Sequence, residues 1–84
     1  LMIVIGGFNS SNTKKLVHVC TEKGVEAHHI ESSNQLNQDW FVGKQHVGIT
    51  AGTSTPEDII NQVHSEILNI AKRVEGMEKE VLQP

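Results

Sequence analysis

The chain has 84 residues, 37% of them hydrophobic, and a formal charge of −3 at pH 7. That length allows one small domain with about ten to fifteen aliphatic core side chains and a stability of a few kcal/mol. The acidic balance excludes nucleic acid or anionic membrane held through a broad basic field, and no apolar run approaches the about 20 residues of a membrane span.

Leu1-Met2-Ile3-Val4-Ile5 is continuously apolar, which predicts a strand over about Met2 to Ile5 buried on both faces, as in a parallel sheet. It is too short for a signal peptide, and a chain that opens on a strand without Met reads as a piece of something longer. Gly6-Gly7-Phe8-Asn9-Ser10-Ser11-Asn12 follows, and a helical pattern then runs from about Ser11 to Lys23. A strand, a glycine turn and a helix N-terminus present backbone N–H groups and a positive dipole end to an anion. Ser10, Ser11 and Asn12 add neutral donors, so the stretch reads as a phosphate site. The same residue types are ordinary N-caps, so a cap without a ligand is the competing reading of this stretch alone. It is not a P-loop, which needs Gly-Lys-Ser/Thr, nor a dinucleotide fingerprint, which needs glycines where Phe8 and Ser11 stand.

Leu16, Val17 and Cys20 mark the apolar side of the first helix, and Lys23-Gly24 is its stop signal. Cys20 is the only cysteine. An internal disulfide or a thiolate-built metal site is therefore excluded, and Cys20 reads as a small buried hydrophobe. Val25 to Ile30 is a second strand, polar enough for an edge. Its adjacent His28 and His29 point to opposite faces and do not share a metal ion easily. Glu31 to Asp39 suits a loop leading into one or two helical turns, anchored by Leu36, Trp40 and Phe41. With only Lys44 as a basic neighbour, the aromatic pair is not a stacking platform for single-stranded nucleic acid.

Gly43 opens a turn, and His46 to Thr50 is the third strand. Ala51-Gly52-Thr53-Ser54 then repeats the first theme of strand end, glycine and hydroxyls. Thr55-Pro56-Glu57-Asp58 reads as a helix start, with Thr55 as N-cap and Pro56 at the first helical position. Ile59, Ile60, Val63, Ile67, Ile70, Ala71 and Val74 form its apolar stripe, ending at about Arg73 or Val74 before Gly76. His18 and His64 read as helix-surface residues. Met77 to Pro84 is too short to assign, either a fraying end or a strand belonging to another part of a longer protein.

Strand, helix, strand, short helix, strand, helix is a parallel α/β unit, and right-handed crossovers give the strand order 2-1-3 with helices on both faces of a small three-layer domain. Strands one and three are then neighbours whose carboxyl ends border the crevice where open α/β sheets bind ligands. Ser10, Ser11, Asn12 and Ser54 would encircle an anion there, with two helix N-termini facing one place. No general base, metal set or nucleophile–base pair falls near this crevice. The chain is expected to bind rather than react, with no catalytic residue and no metal ligand of its own.

Val4-Ile5-Gly6-Gly7-Phe8-Asn9-Ser10-Ser11-Asn12-Thr13, followed by Leu16, resembles a signature in the last third of the LytB family of 4-hydroxy-3-methylbut-2-enyl diphosphate reductases. Val47-Gly48-Ile49-Thr50-Ala51-Gly52-Thr53-Ser54-Thr55-Pro56 resembles its second signature at a similar separation, and Val25-Glu26-Ala27 and Asp39-Trp40-Phe41 sit where the family has its second strand and short helix. The resemblance covers about Leu1 to Ile70, while Glu78 to Pro84 does not match the family's closing segment. It implies three similar α/β domains around an iron–sulfur cluster held by three cysteines, of which this chain would be the C-terminal third. It also implies reductive removal of an allylic hydroxyl, giving isopentenyl and dimethylallyl diphosphates in isoprenoid synthesis. Ser10, Ser11, Asn12 and Ser54 would bind the substrate's diphosphate. The cluster cysteines and the acid–base Glu would lie upstream, and neither Cys20 nor the histidines here match them. The implied partners are the allylic diphosphate, the missing N-terminal domains and an electron donor such as ferredoxin or flavodoxin. The implied location is the bacterial cytoplasm or the plastid stroma. The alternative is a stand-alone phosphate- or nucleotide-binding module without redox activity, and a third reading is a structural interaction domain.

Overall fold

A computed structural model describes residues 1–74 and, as backbone, the short strand at 80–82. Four parallel strands, β1 (Met2–Ile5), β2 (Ala27–Ile30), β3 (His46–Ala51) and β4 (Glu80–Leu82), stand in the order β2-β1-β3-β4. Two helices, α1 (Ser11–Glu22) and α2 (Glu57–Arg73), and two 3-10 turns, Ser33–Gln35 and Gln38–Phe41, form the connections.

The central position of β1 follows from its sequence. Ile3, Val4 and Ile5 are fully buried, which only a strand covered on both faces allows. Side chains alternate along a strand, so Ile3 and Ile5 face one way and Val4 the other. The first face carries the main core. Ile3, Ile5, Ile30, Val47 and Ile49 pack there with Phe41 and with Val63, Ile67, Ile70 and Val74 of the α2 segment. Leu36 and Trp40 close its margin, as the sequence pattern predicts. Helix α1 covers the opposite face, lying over β1 and β2.

That second face is the thinner one. Leu16, Val17 and Cys20 are only half-buried, so Cys20 is not the sealed hydrophobe expected of it. The helix is short and runs beside an edge strand, which leaves its apolar side incompletely covered.

The predicted order 2-1-3 is present, with β4 added outside β3. The strand at 80–82 pairs with this chain's own sheet, His46 opposite Glu80 and Gly48 opposite Leu82, rather than waiting for another part of a longer protein. The rest of the expected tail, 77–79 and 83–84, lies outside the described residues. Predicted ends hold to within two residues elsewhere: α1 stops at Glu22 with Gly24 at φ +74°, and Gly43 turns at φ +76°.

Candidate anion-binding site

Strands β1 and β3 end side by side, Ile5 opposite Ala51. The ladder continues one step further: the Gly6 N–H donates to Ile30 O and the Gly52 N–H to Ile5 O, both at 2.9 Å. The two glycine loops therefore leave the sheet as neighbours, as the strand order required.

In the first loop, residues 6–10, the Ser10 N–H donates to Gly7 O at 3.0 Å and closes a turn that aims the chain into α1. Ser10 is the N-cap, half-buried, its Oγ accepting from the Thr13 N–H at 3.3 Å. That bond leaves the Ser10 hydroxyl proton available to a ligand. Ser11 and Asn12 occupy the first turn and are exposed. That turn contains no acidic residue, so its positive end is not neutralised from within the helix.

The second loop, residues 52–56, turns back through the Thr55 N–H to Gly52 O at 3.0 Å and carries Ser54 exposed at its outer side. Here one expectation fails. Helix α2 starts at Glu57 and its N-cap is Pro56, without a side-chain capping bond. Thr55, expected as the cap, instead donates its hydroxyl to Ile5 O at 3.1 Å, tying the second loop to the end of β1. Since Glu57 and Asp58 already compensate the dipole of α2, the N-terminus of α1 is the stronger attractor of the two.

Asn12 joins the loops. Its side-chain oxygen accepts from the Thr53 N–H at 3.2 Å. Only the oxygen of a carboxamide can accept from a backbone N–H, so the amide orientation is fixed and its two donors point elsewhere. The backbones that carry Ser10, Ser11, Asn12 and Ser54 are thus brought together at one end of the sheet, by a bond between side chain and backbone that the sequence alone did not foretell.

Three further residues hold the first loop and escaped the sequence reading. His29 Nε2 lies 2.9 Å from Gly6 O and donates to it, and its ring meets Phe8 edge-on, centroids 4.8 Å apart. The Phe8 N–H donates to Glu31 Oε2 at 3.0 Å. Thr13, 1% exposed, lies between Gly6 and Gly52. The strand order carried a signal for the first pair, since it sets the end of β2 beside this loop. The two adjacent histidines do diverge: His28 stacks on Trp40 on the other face, 3.9 Å between centroids, with Glu26 Oε2 2.7 Å from its Nε2. His18 sits 3.0 Å from Glu22 on the far half of α1, and His64 is half-buried in α2. Among the described residues no three His, Cys, Asp or Glu side chains converge on a space that would hold a metal ion.

The arrangement can bind an anion with hydroxyls, an amide and backbone N–H groups. Known proteins carry a similar unit. The model of the LytB protein family matches residues 1–68. A 4-hydroxy-3-methylbut-2-enyl diphosphate reductase of Geotalea uraniireducens is 54% identical over 71 residues, which cover 84% of this chain and 25% of that protein. The Geobacter sulfurreducens reductase is 47% identical over 75 residues, covering 89% and 27%. A solved structure of (E)-4-hydroxy-3-methyl-but-2-enyl diphosphate reductase, the terminal enzyme of the non-mevalonate pathway, superposes with a TM-score of 0.78 at 47% identity, over 81% of this chain and 24% of that one. The chain therefore spans about a quarter of the length of the relatives it matches.

Proposed function

The chain belongs to the LytB family, and from that membership we propose that it is the diphosphate-anchoring domain, the C-terminal third, of a 4-hydroxy-3-methylbut-2-enyl diphosphate reductase. Ser10, Ser11, Asn12 and Ser54 hold the two phosphates of the substrate. The observation that carries this reading is the bond from the Thr53 N–H to Asn12 Oδ1, because it commits both hydroxyl-bearing loops to one place. Each donor then has a task. The Ser11 and Ser54 hydroxyls and the Asn12 amide point at phosphate oxygens, Ser10 gives its remaining proton, and the start of α1 contributes its dipole.

Neutral donors suit an anchor. They fix the diphosphate, and hence the allylic end of the substrate, without a proton whose loss would alter the grip with pH. In the reaction the allylic hydroxyl leaves as water and isopentenyl and dimethylallyl diphosphates form, with electrons from a donor such as ferredoxin or flavodoxin. An iron–sulfur cluster would supply that electron transfer. This chain does not fit as its holder: one half-buried cysteine on α1, with no converging His, Asp or Glu among the described residues, is not a cluster's donor set. The thiolates and the acid–base Glu belong to the other domains of the protein, with which this one acts. The proposed location is the bacterial cytoplasm or the plastid stroma. No helix among the described residues is long and apolar enough to cross a membrane.

The test uses the full-length protein and inorganic pyrophosphate, followed by titration calorimetry. Wild type is expected to bind, and the Ser10→Ala/Ser54→Ala double variant to bind at least about tenfold more weakly, as expected when hydrogen bonds to a charged ligand are lost. Equal affinity in the two proteins overturns the site.

A further inference from the structure

We infer that Thr13 is a positioning residue, the spacer whose volume sets the separation of the two glycine loops; the inference rests on the anion-binding reading above. Thr13 is 1% exposed and lies between Gly6 and Gly52. A methyl group added at Gly6 would overlap the Thr13 hydroxyl and come within 2.9 Å of its γ-methyl. One added at Gly52 would lie 2.5 Å from the same hydroxyl. The γ atoms of Thr13 thus fill the space that side chains at positions 6 and 52 would take. Residues 46 positions apart are glycine for one shared reason.

Hydrogen bonding does not explain why the residue is Thr. Its Oγ1 is buried and has no partner among the described residues. A buried hydroxyl left unpaired opposes folding. What the side chain provides is shape. Its backbone is itself clamped, with the N–H on Ser10 Oγ and the preceding residue, Asn12, reaching Thr53. Thr13 therefore stands at the root of the turn that presents Ser10 to Asn12 and presses on the loop that presents Ser54. Without its γ atoms the loops lose their common stop, and the donors lose their fixed spacing.

The test measures pyrophosphate affinity in the full-length protein for Thr13→Val, Thr13→Ala, Gly52→Ala and Thr13→Ala/Gly52→Ala. Thr13→Val, which keeps the shape and discards the unpaired hydroxyl, is expected to stay within about twofold of wild type. Thr13→Ala and Gly52→Ala should each weaken binding roughly tenfold or more, as misplaced donors do. The double variant should recover most of that loss. Once the γ atoms are gone, the nearest neighbours of a methyl at position 52 are Asn12 Oδ1 at 3.4 Å and Thr13 Cβ at 3.7 Å, ordinary contacts. Wild-type affinity in Thr13→Ala, a Thr13→Val as weak as Thr13→Ala, or a double variant no better than Gly52→Ala overturns the spacer. If wild type itself fails to bind pyrophosphate, the anion reading falls. The spacer is then decided by thermal melting, with recovery of the Gly52→Ala melting temperature by Thr13→Ala supporting it and no recovery overturning it.

Discussion

Asn12 and Thr53, 41 residues apart, meet through one hydrogen bond of 3.2 Å, and it is the side-chain oxygen of Asn12 that is engaged. The amide donors are left for a ligand. Asn12→Asp keeps an acceptor for the Thr53 N–H but removes both donors and adds a negative charge. The expected result is a protein with wild-type melting behaviour and a loss of pyrophosphate affinity of about 1.5–3 kcal/mol, the range for hydrogen bonds to charged groups. Calorimetry on the full-length protein checks it; an affinity unchanged by the substitution would remove Asn12 from the site.

Thr55 separates two uses of one hydroxyl. Because it ties down Ile5 O, Thr55→Ser should retain the bond and Thr55→Val should lower stability by about 1 kcal/mol, with Ile5 O keeping only its bond from the Gly52 N–H. A capping role predicts instead that Asn and Asp replace it well, since they are the favoured caps. Chemical denaturation of the wild type and the four variants decides between these outcomes.

Glu26 gives the fold an acid-sensitive edge. Its hydrogen bond to His28, and next its contact with Lys44, lower its carboxyl from the ordinary 4.5 to about 2. A carboxyl depressed in the folded state stabilises that state above its unfolded value, and the contribution is lost as pH falls from about 4.5 through about 2. Glu26→Gln should therefore flatten the stability curve in that window. The group is exposed, so the effect is expected to be small and to shrink with added salt.

Among the described residues Phe41 is the largest fully buried side chain and the one aromatic at the centre of the main core. Phe41→Ala should cost about 3–5 kcal/mol, a large share of the stability of a domain this size, and Phe41→Leu much less. Loss of the cooperative unfolding transition in the first and its retention in the second is the expected pattern in urea titrations.

The strand order was legible because it follows from periodicity and crossover handedness, neither of which needs tertiary detail. The placing of Ser10 and Asn12 beside the Ser54 loop follows in turn from that order. Thr55 was misread for a physical reason: the same hydroxyl suits an N-cap and a bond to a neighbouring strand end, and local sequence does not rank them. Thr13 was invisible because its meaning lies in two distant glycines that close on it. Strand β4 stayed one of two options because three residues are too few to show a period, and its partner His46–Gly48 is known only once β3 is in place. The bonds of His29 and Glu31 to Gly6 and Phe8 become visible only with the end of β2 set against the first loop.

The middle seat of β1 has a bearing on how the protein is made. This strand leaves the ribosome before either of its neighbours, β2 and β3, yet Ile3, Val4 and Ile5 need both to be covered. At about 5–20 residues per second, translation leaves that apolar ribbon waiting several seconds for β3. A pause in translation before the third strand emerges should therefore lengthen the time for which Ile3 to Ile5 stay uncovered.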